Sequence, residues 1–237
     1  MNFLDIGNTR IKIKTWSGNS WQEMYNAPTE HATEAGNWIR QQGKETVGIS
    51  VVPDATDAIN AALGESKVLK WFTIADLPEK SVDYESKDTL GMDRYMACLG
   101  ARTMADKPVI VIDAGTACTI DYMDDRGVYR GGVIMPGMAL WEKALQQYAP
   151  NLPKVVRDIP MKWPGKNTED SVRWGLSGAF ISAVDGLVRR YDYVAALYVT
   201  GGDGDWLAKR IERRAVVNSN LVFYGMKKLV EARLWFG

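Results

Sequence analysis

Two short stretches of this chain echo each other: Asp5-Ile6-Gly7-Asn8-Thr9-Arg10-Ile11-Lys12 and Asp113-Ala114-Gly115-Thr116-Ala117-Cys118-Thr119-Ile120-Asp121. Each opens with an Asp at the end of an apolar run. Each turns at a Gly closely followed by a Thr, then continues in alternating residues that read as a second strand. A carboxylate, a glycine turn and a hydroxyl at a hairpin tip suit a metal–nucleotide phosphate. The glycine lets backbone come close, and N–H groups and the hydroxyl donate to phosphate oxygens. Two such tips, one near the start of each half, call for a duplicated fold with a site in the cleft between the halves.

The pattern along the chain supports duplication. Residues 2–6, 10–16 and 21–25 read as three consecutive antiparallel strands separated by turn signals. A helix over 30–42, a strand over 46–52, a helix from an Asp54 cap to Leu63, and a strand over 68–73 follow. Residues 76–92 are polar and turn-rich, and open a helix over 93–105. The pattern then restarts. Strands are expected at 108–113, 117–123 and 129–134, then a helix to Tyr148, a Pro-rich loop and one long helix from Asn167 or Thr168 to Tyr191. A strand over 195–200, a helix over 205–213, a brief strand over 215–218 and a terminal helix over 219–233 complete it. The expected division is an N-terminal half, 1–106, and a C-terminal half, 107–237, each of ordinary domain size.

Composition narrows the class. Lys plus Arg (29) balances Asp plus Glu (29), which argues against a nucleic-acid or membrane-surface partner. No run is long and apolar enough to span a bilayer, and the N-terminus enters a strand directly, so a cytoplasmic protein is expected. The two cysteines, Cys98 and Cys118, flank no Cys-x-x-Cys and read as buried small apolar residues. The single histidine, His31, reads as an exposed helix residue, so a base working near neutral pH is expected to be a carboxylate.

Several motifs are candidates for chemistry. No Gly-x-x-x-x-Gly-Lys-Ser/Thr loop is present, which leaves the hairpin tips as the phosphate route. The first tip, with Lys12 or Arg10 for charge, also reads as an ordinary hairpin, since Gly-Asn is a common turn pair. Asp113 ends the apolar run Val109–Ile112, where a carboxylate is costly unless paired or bound to a cation. In Gly91-Met92-Asp93-Arg94, Asp93 reads equally as a helix cap or as a base for a substrate hydroxyl, with Arg94 steadying charge. Gly131–Gly137 and Thr200-Gly201-Gly202-Asp203 are glycine-rich strand-to-helix turns, open to close packing or to a ligand. Trp163, Trp174 and Trp206 look too scattered to form a binding box.

Taken in order, these motifs resemble those of the type III pantothenate kinases, members of the acetate and sugar kinase, Hsp70 and actin superfamily. Gly91–Arg94 is similar to the family's Gly-x-Asp-Arg, Asp113–Asp121 to its Asp-x-Gly-Thr-Ala-x-Thr-x-Asp, and Gly131–Gly137 to its Gly-Gly-x-Ile-x-Pro-Gly. Asp5–Lys12 resembles its first phosphate motif and Thr200–Gly202 its late nucleotide motif. Leu90 stands where an aromatic residue is common.

The resemblance implies an α/β fold of duplicated ribonuclease H-like, actin-like halves, each a mixed sheet with flanking helices. It implies ATP-dependent phosphorylation of pantothenate to 4'-phosphopantothenate, the first step of coenzyme A biosynthesis. Asp93 then corresponds to the general base, and Tyr84, Gly91, Met92, Asp93, Arg94 and Thr168 to substrate contacts. The residues Asp5 through Lys12 and Thr116 correspond to ATP contacts. Asp113 corresponds to a ligand of a monovalent cation, K⁺ or NH₄⁺. Mg²⁺ is implied with the nucleotide, and a homodimer as the assembly. Another small-metabolite kinase of the same superfamily, or a non-catalytic regulatory relative, are the alternatives.

Overall fold

The computed structural model describes residues 1–233. Two five-stranded sheets dominate it, and they share one strand order. The first runs β3-β2-β1-β4-β5 and the second β8-β7-β6-β9-β10. In the first sheet β1 (Asn2–Ile6), β2 (Arg10–Ser17) and β3 (Ser20–Pro28) are antiparallel neighbours, while β4 (Thr46–Ser50) and β5 (Leu69–Trp71) join parallel to β1. In the second, β9 (Ala196–Thr200) runs parallel to β6 (Val109–Ala114), and β10 (Val216–Val217) parallel to β9. The strands β7 (Ala117–Met123) and β8 (Tyr129–Pro136) extend from β6 to the sheet's other edge. The duplication expected from the hairpin tips is therefore a duplication of topology.

Alternation explains the burial. In β2, Ile11, Ile13 and Thr15 are buried while Lys12 and Lys14 are half-buried, as a period of two requires. Leu4, Ile6, Ile11 and Ile13 pack against Ala35 and Ile39 of α1 (Ala32–Gln42) and Ala55 and Ile59 of α2 (Pro53–Leu63). The helix α2 starts with Pro53 in its first turn, after Val52 at the N-cap. Asp54 is thus a first-turn acid rather than the cap read from the sequence.

Around the second sheet, Ile110, Ile112, Cys118 and Ile120 pack with Phe180, Val184 and Val188. Those three come from α6 (Ala179–Val188), which follows α5 (Thr168–Arg173) across a π-helical turn, Trp174–Gly178. The long helix expected here is therefore present over 168–188, with one π-helical turn within it, and it ends three residues before Tyr191. At the turn the Trp174 ring fills the place a Gly178 side chain would need, 2.3 Å from the ideal Cβ. The expected helix over 205–213 shortens to α7 (Gly204–Ala208), because the Leu207 carbonyl receives both the Arg210 and Ile211 N–H groups and the chain turns away.

The described residues form two compact units. One comprises 1–106, 123–131 and the segment from Asn220 onward, and the other 107–122 and 132–219. The helix α8 (Leu221–Arg233) therefore belongs with the first unit, packed on α3 (Met92–Arg102). Their backbones touch through glycines. A Cβ on Gly100 would lie 1.9 Å from the Leu221 carbonyl oxygen, and one on Gly225 2.0 Å from that of Met96. Among the described residues no helix is long and apolar enough to cross a membrane.

These contacts predict opposite signs for one substitution at two helical glycines. Gly100→Ala is expected to lower stability by about 1–3 kcal/mol, because backbone cannot yield as a side chain can. Gly186→Ala in α6 meets nothing within 4 Å. It is expected to raise stability by about 0.4–1 kcal/mol by restricting the unfolded chain. Denaturant titration of both variants reads the difference, and equal effects would contradict the packing.

Candidate active site

In the first unit, the turn after β1 is closed by the Gly7 N–H donating to the Arg10 carbonyl at 3.0 Å. Thr29 ties it down, its hydroxyl donating to the Gly7 carbonyl at 2.8 Å and its N–H to the Thr9 carbonyl at 3.1 Å. Asn8, Thr9 and Arg10 are exposed, and Arg10 Nε donates to Asn26 Oδ1 at 2.6 Å. Asp5 and Lys12 face each other across the β1–β2 pair. A Cβ at Gly7 would meet only the Arg10 carbonyl oxygen, at an ordinary 3.7 Å. The packing itself does not demand glycine there.

The Gly91–Arg94 stretch opens α3. Gly91 is the N-cap, and Asp93 stands inside the first turn. Asp93 therefore does not occupy the N-cap. Its Oδ1 accepts the Arg94 N–H at 2.8 Å, and the positive end of the helix favours its charge. A Cβ at Gly91 would lie 2.6 Å from the same Oδ1, so a side chain there would push the carboxylate aside. Beside this turn lies an open groove of ≈ 830 Å³, lined by Ser50 at the end of β4 and Val51 after it, Thr56 and Asp57 of α2, the Thr73–Ala75 segment and Asp88–Met92.

Tyr129 is the hub behind this turn, a role invisible in the sequence. It is wholly buried, with the Tyr84 ring at 6.1 Å, the Tyr95 ring at 6.3 Å and the buried Arg94 guanidinium 5.9 Å from its centroid. Residues 81–83 pair with the start of β8, through the Tyr129 N–H to the Ser81 carbonyl and the Asp83 N–H to the Tyr129 carbonyl, both 2.9 Å. Arg130 bridges Asp83 at 2.6 Å and Asp124 at 2.7 Å. Burial works against the Asp124 charge, but N–H groups of Val128 and Arg126 and the Arg130 guanidinium hold its carboxyl below the usual range. Tyr84 thereby lies over Gly131, whose φ is +91° and whose Cβ would sit 3.4 Å from the Tyr84 ring.

In the second unit, Asp113 is the last residue but one of β6 and stands opposite Thr200 of β9. The tip that follows is packed tightly. The Gly137 N–H donates to the Thr116 carbonyl at 3.0 Å, and a Gly137 Cβ would lie 2.0 Å from the Gly115 carbonyl oxygen. Gly132 likewise leaves no space against Ile120 and Asp121. Of the two readings of Gly131–Gly137, close packing holds at Gly132 and Gly137. Gly201 has φ +89° and lies against Asp113 and Ala114, whereas nothing comes within 4 Å of a Gly202 Cβ. Gly202 is the open glycine of that loop. Thr168, at the start of α5, is exposed in this same unit.

Negative charge gathers beside β7. Burial first, then Asp113, Asp121 and Asp203, push the Cys118 thiol up to about 12. Cys118 is thus an inert buried thiol, as read from the sequence, and Cys98 is also free and buried. An anionic oxygen at Asp113 within this field has the chemistry an alkali cation takes. Among the described residues, no group of three or more His, Cys, Asp or Glu side chains is arranged to hold a metal ion. Trp163 and Trp174, which looked scattered, meet edge to face at 4.9 Å.

Two sheets of identical strand order, each with an Asp near the end of its first strand and a Gly and a Thr in the turn that follows, define a duplicated, actin-like fold. A protein described as a 2-dehydro-3-deoxygalactonokinase from Sinorhizobium meliloti shares the fold, with a TM-score of 0.61 at 13% identity over 100% of this chain and 99% of that one. So does one described as a Baf family transcriptional activator from Campylobacter jejuni, with a TM-score of 0.72 at 23% identity and full coverage of both chains. The chain belongs to the type III pantothenate kinase family, whose model matches residues 3–190. The type III pantothenate kinase of Chlorobaculum tepidum is 32% identical over 98% of this chain and 93% of its own length. That of Flavobacterium johnsoniae is 27% identical over 98% and 97%. The chain is accordingly a phosphotransferase, and its reaction is ATP-dependent phosphorylation of pantothenate.

Proposed function

We propose that Asp93 is the general base of this reaction. Its carboxylate takes the proton of the pantothenate hydroxyl as that oxygen bonds to the γ-phosphorus, the bridging P–O bond breaks and ADP leaves. The observation that carries this reading is the pose of Asp93, fixed by the Arg94 N–H and directly following Gly91 and Met92, which line the groove. Tyr84, Gly91, Met92, Arg94 and Thr168 are assigned to pantothenate. Asp5–Lys12, Thr116 and the Thr200–Gly202 turn are assigned to ATP, with backbone N–H groups and Lys12 or Arg10 meeting the phosphates.

Asp113 is assigned to a monovalent cation, K⁺ or NH₄⁺, for which oxygen donors in a negative field are the fitting set. Mg²⁺ is assigned to the nucleotide; it binds phosphate oxygens with few protein ligands and neutralises charge there. The assembly proposed is a homodimer and the location the cytoplasm.

Release of ADP, measured with pantothenate against a panel of hydroxyl metabolites in K⁺, NH₄⁺ and Na⁺ buffers, tests the reading. Turnover is expected with pantothenate, and faster in K⁺ or NH₄⁺ than in Na⁺. A preference for another hydroxyl compound would overturn the substrate assignment. Equal rates in the three salts would remove Asp113 from its role.

A further inference from the structure

Arg157 lies in the Pro-rich loop between α4 (Met138–Tyr148) and α5, a segment to which no role has been given. Its guanidinium makes a two-pronged contact with Glu142 of α4, Nε to Oε1 at 2.7 Å and Nη2 to Oε2 at 2.8 Å. The remaining Nη1 donates to Asp203 Oδ1 at 2.6 Å. The Arg157 carbonyl accepts the Trp206 indole N–H at 2.8 Å. One residue thus joins α4, the loop and the start of α7. The three side chains are only 30%, 21% and 25% exposed, so water and salt screen them less than a surface pair.

Asp203 makes this arrangement informative. It stands at the N-cap of α7, where an Asp ordinarily accepts an N–H of its own helix, worth about 1 kcal/mol. Here it makes no such bond; its carboxylate is given to Arg157 instead. Its backbone N–H donates to the Ala114 carbonyl at 2.9 Å. Two residues earlier, a Gly201 Cβ would lie 2.4 Å from Asp113 Oδ1. A displacement of Asp203 therefore carries the Gly201-Gly202 turn with it, and an unneutralised Asp203 adds negative charge beside Asp113.

We infer that Arg157 is a positioning residue for nucleotide binding: it latches the loop between α4 and α5 to Asp203 and so fixes the Gly201-Gly202 turn for the phosphates of ATP. The inference rests on the reading of Thr200–Gly202 as part of the nucleotide site. Arginine suits the task because its planar fork satisfies both carboxylates at once, where a lysine ammonium is a point charge.

The test uses the full chain and titrates a fluorescent ATP analogue, alongside steady-state kinetics in each substrate. Arg157→Met is expected to raise the analogue Kd and the ATP KM about tenfold, as loss of a charge-assisted contact would. The pantothenate KM should stay within about twofold. Arg157→Lys is expected to recover part of the loss, and it carries the test if Arg157→Met does not fold. Asp203→Asn should mimic Arg157→Met, and the double variant should be little worse than either, since both break one contact. Arg189→Met, which opens an exposed pair with Glu212, is the control and should leave binding unchanged. A lowered melting temperature with an unchanged analogue Kd in the Arg157 variants would overturn the latch. Gly202→Val separates the two readings. If it leaves the Kd unchanged, the nucleotide assignment of the turn fails; if it weakens binding while Arg157→Met does not, only the latch fails.

Discussion

Asp93→Asn is expected to lower kcat by about 10²–10⁴-fold, the usual contribution of a positioned general base. The substitution keeps shape and size, and the amide oxygen can still accept the Arg94 N–H that the carboxylate accepts at 2.8 Å. Helix α3 loses one favourable charge near its N-terminus, worth about 0.3–1 kcal/mol, so the protein should remain folded. What disappears is the capacity to take a proton from the hydroxyl as the O–P bond forms. Binding of ATP should be largely spared, because Asp93 is assigned to the acceptor side. Stopped-time assays of ADP release, paired with calorimetric titration of a non-hydrolysable ATP analogue, separate the two effects. Near-full turnover in the variant would show that the proton leaves by another route. Weak analogue binding with normal kcat would move Asp93 to the nucleotide.

The alternation of Ile11, Ile13 and Thr15 and the apolar run before Asp113 made the strands legible, because burial on one face imposes a period of two. The order of elements made the duplication legible, and both sheets carry it. Other features were not readable because they depend on partners distant in sequence. Tyr129 is an ordinary strand aromatic until Tyr84, Arg94 and Tyr95 are seen around it. Arg157 is an unremarked basic residue of a Pro-rich loop until Glu142 and Asp203 meet its guanidinium. Local rules misled at Asp54, because the proline before it took the first helical position. Glycines gave the weakest information from sequence alone. Gly137 and Gly202 both lie in Gly-rich turns, yet the first is locked against a carbonyl and the second faces open space.

Gly201→Ala is expected to be the most damaging conservative change on the nucleotide side. Two costs combine there. The residue holds φ at +89°, and a non-glycine residue forced into a sparsely populated region costs about 1–3 kcal/mol. Its Cβ would also lie 2.4 Å from Asp113 Oδ1 and 2.5 Å from the Ala114 carbonyl carbon and oxygen. The Ala114 atoms are backbone, held by the hydrogen bond from the Asp203 N–H and next in the chain to Asp113, the last β6 residue paired with β9. Relief must come from moving the loop or turning Asp113, and either disturbs groups assigned to ATP and to the cation. Phosphoryl transfer depends on positioning, and a misplacement of about 1 Å can cost about 10²-fold in rate. The expected result is therefore a fall in kcat/KM for ATP of about 10²-fold or more, with a lowered melting temperature. Gly202→Ala, in open space, should leave the melting temperature close to that of the parent, and the contrast isolates the Gly201 contact. Parent-like kinetics and stability in Gly201→Ala would mean that the turn does not bear on Asp113.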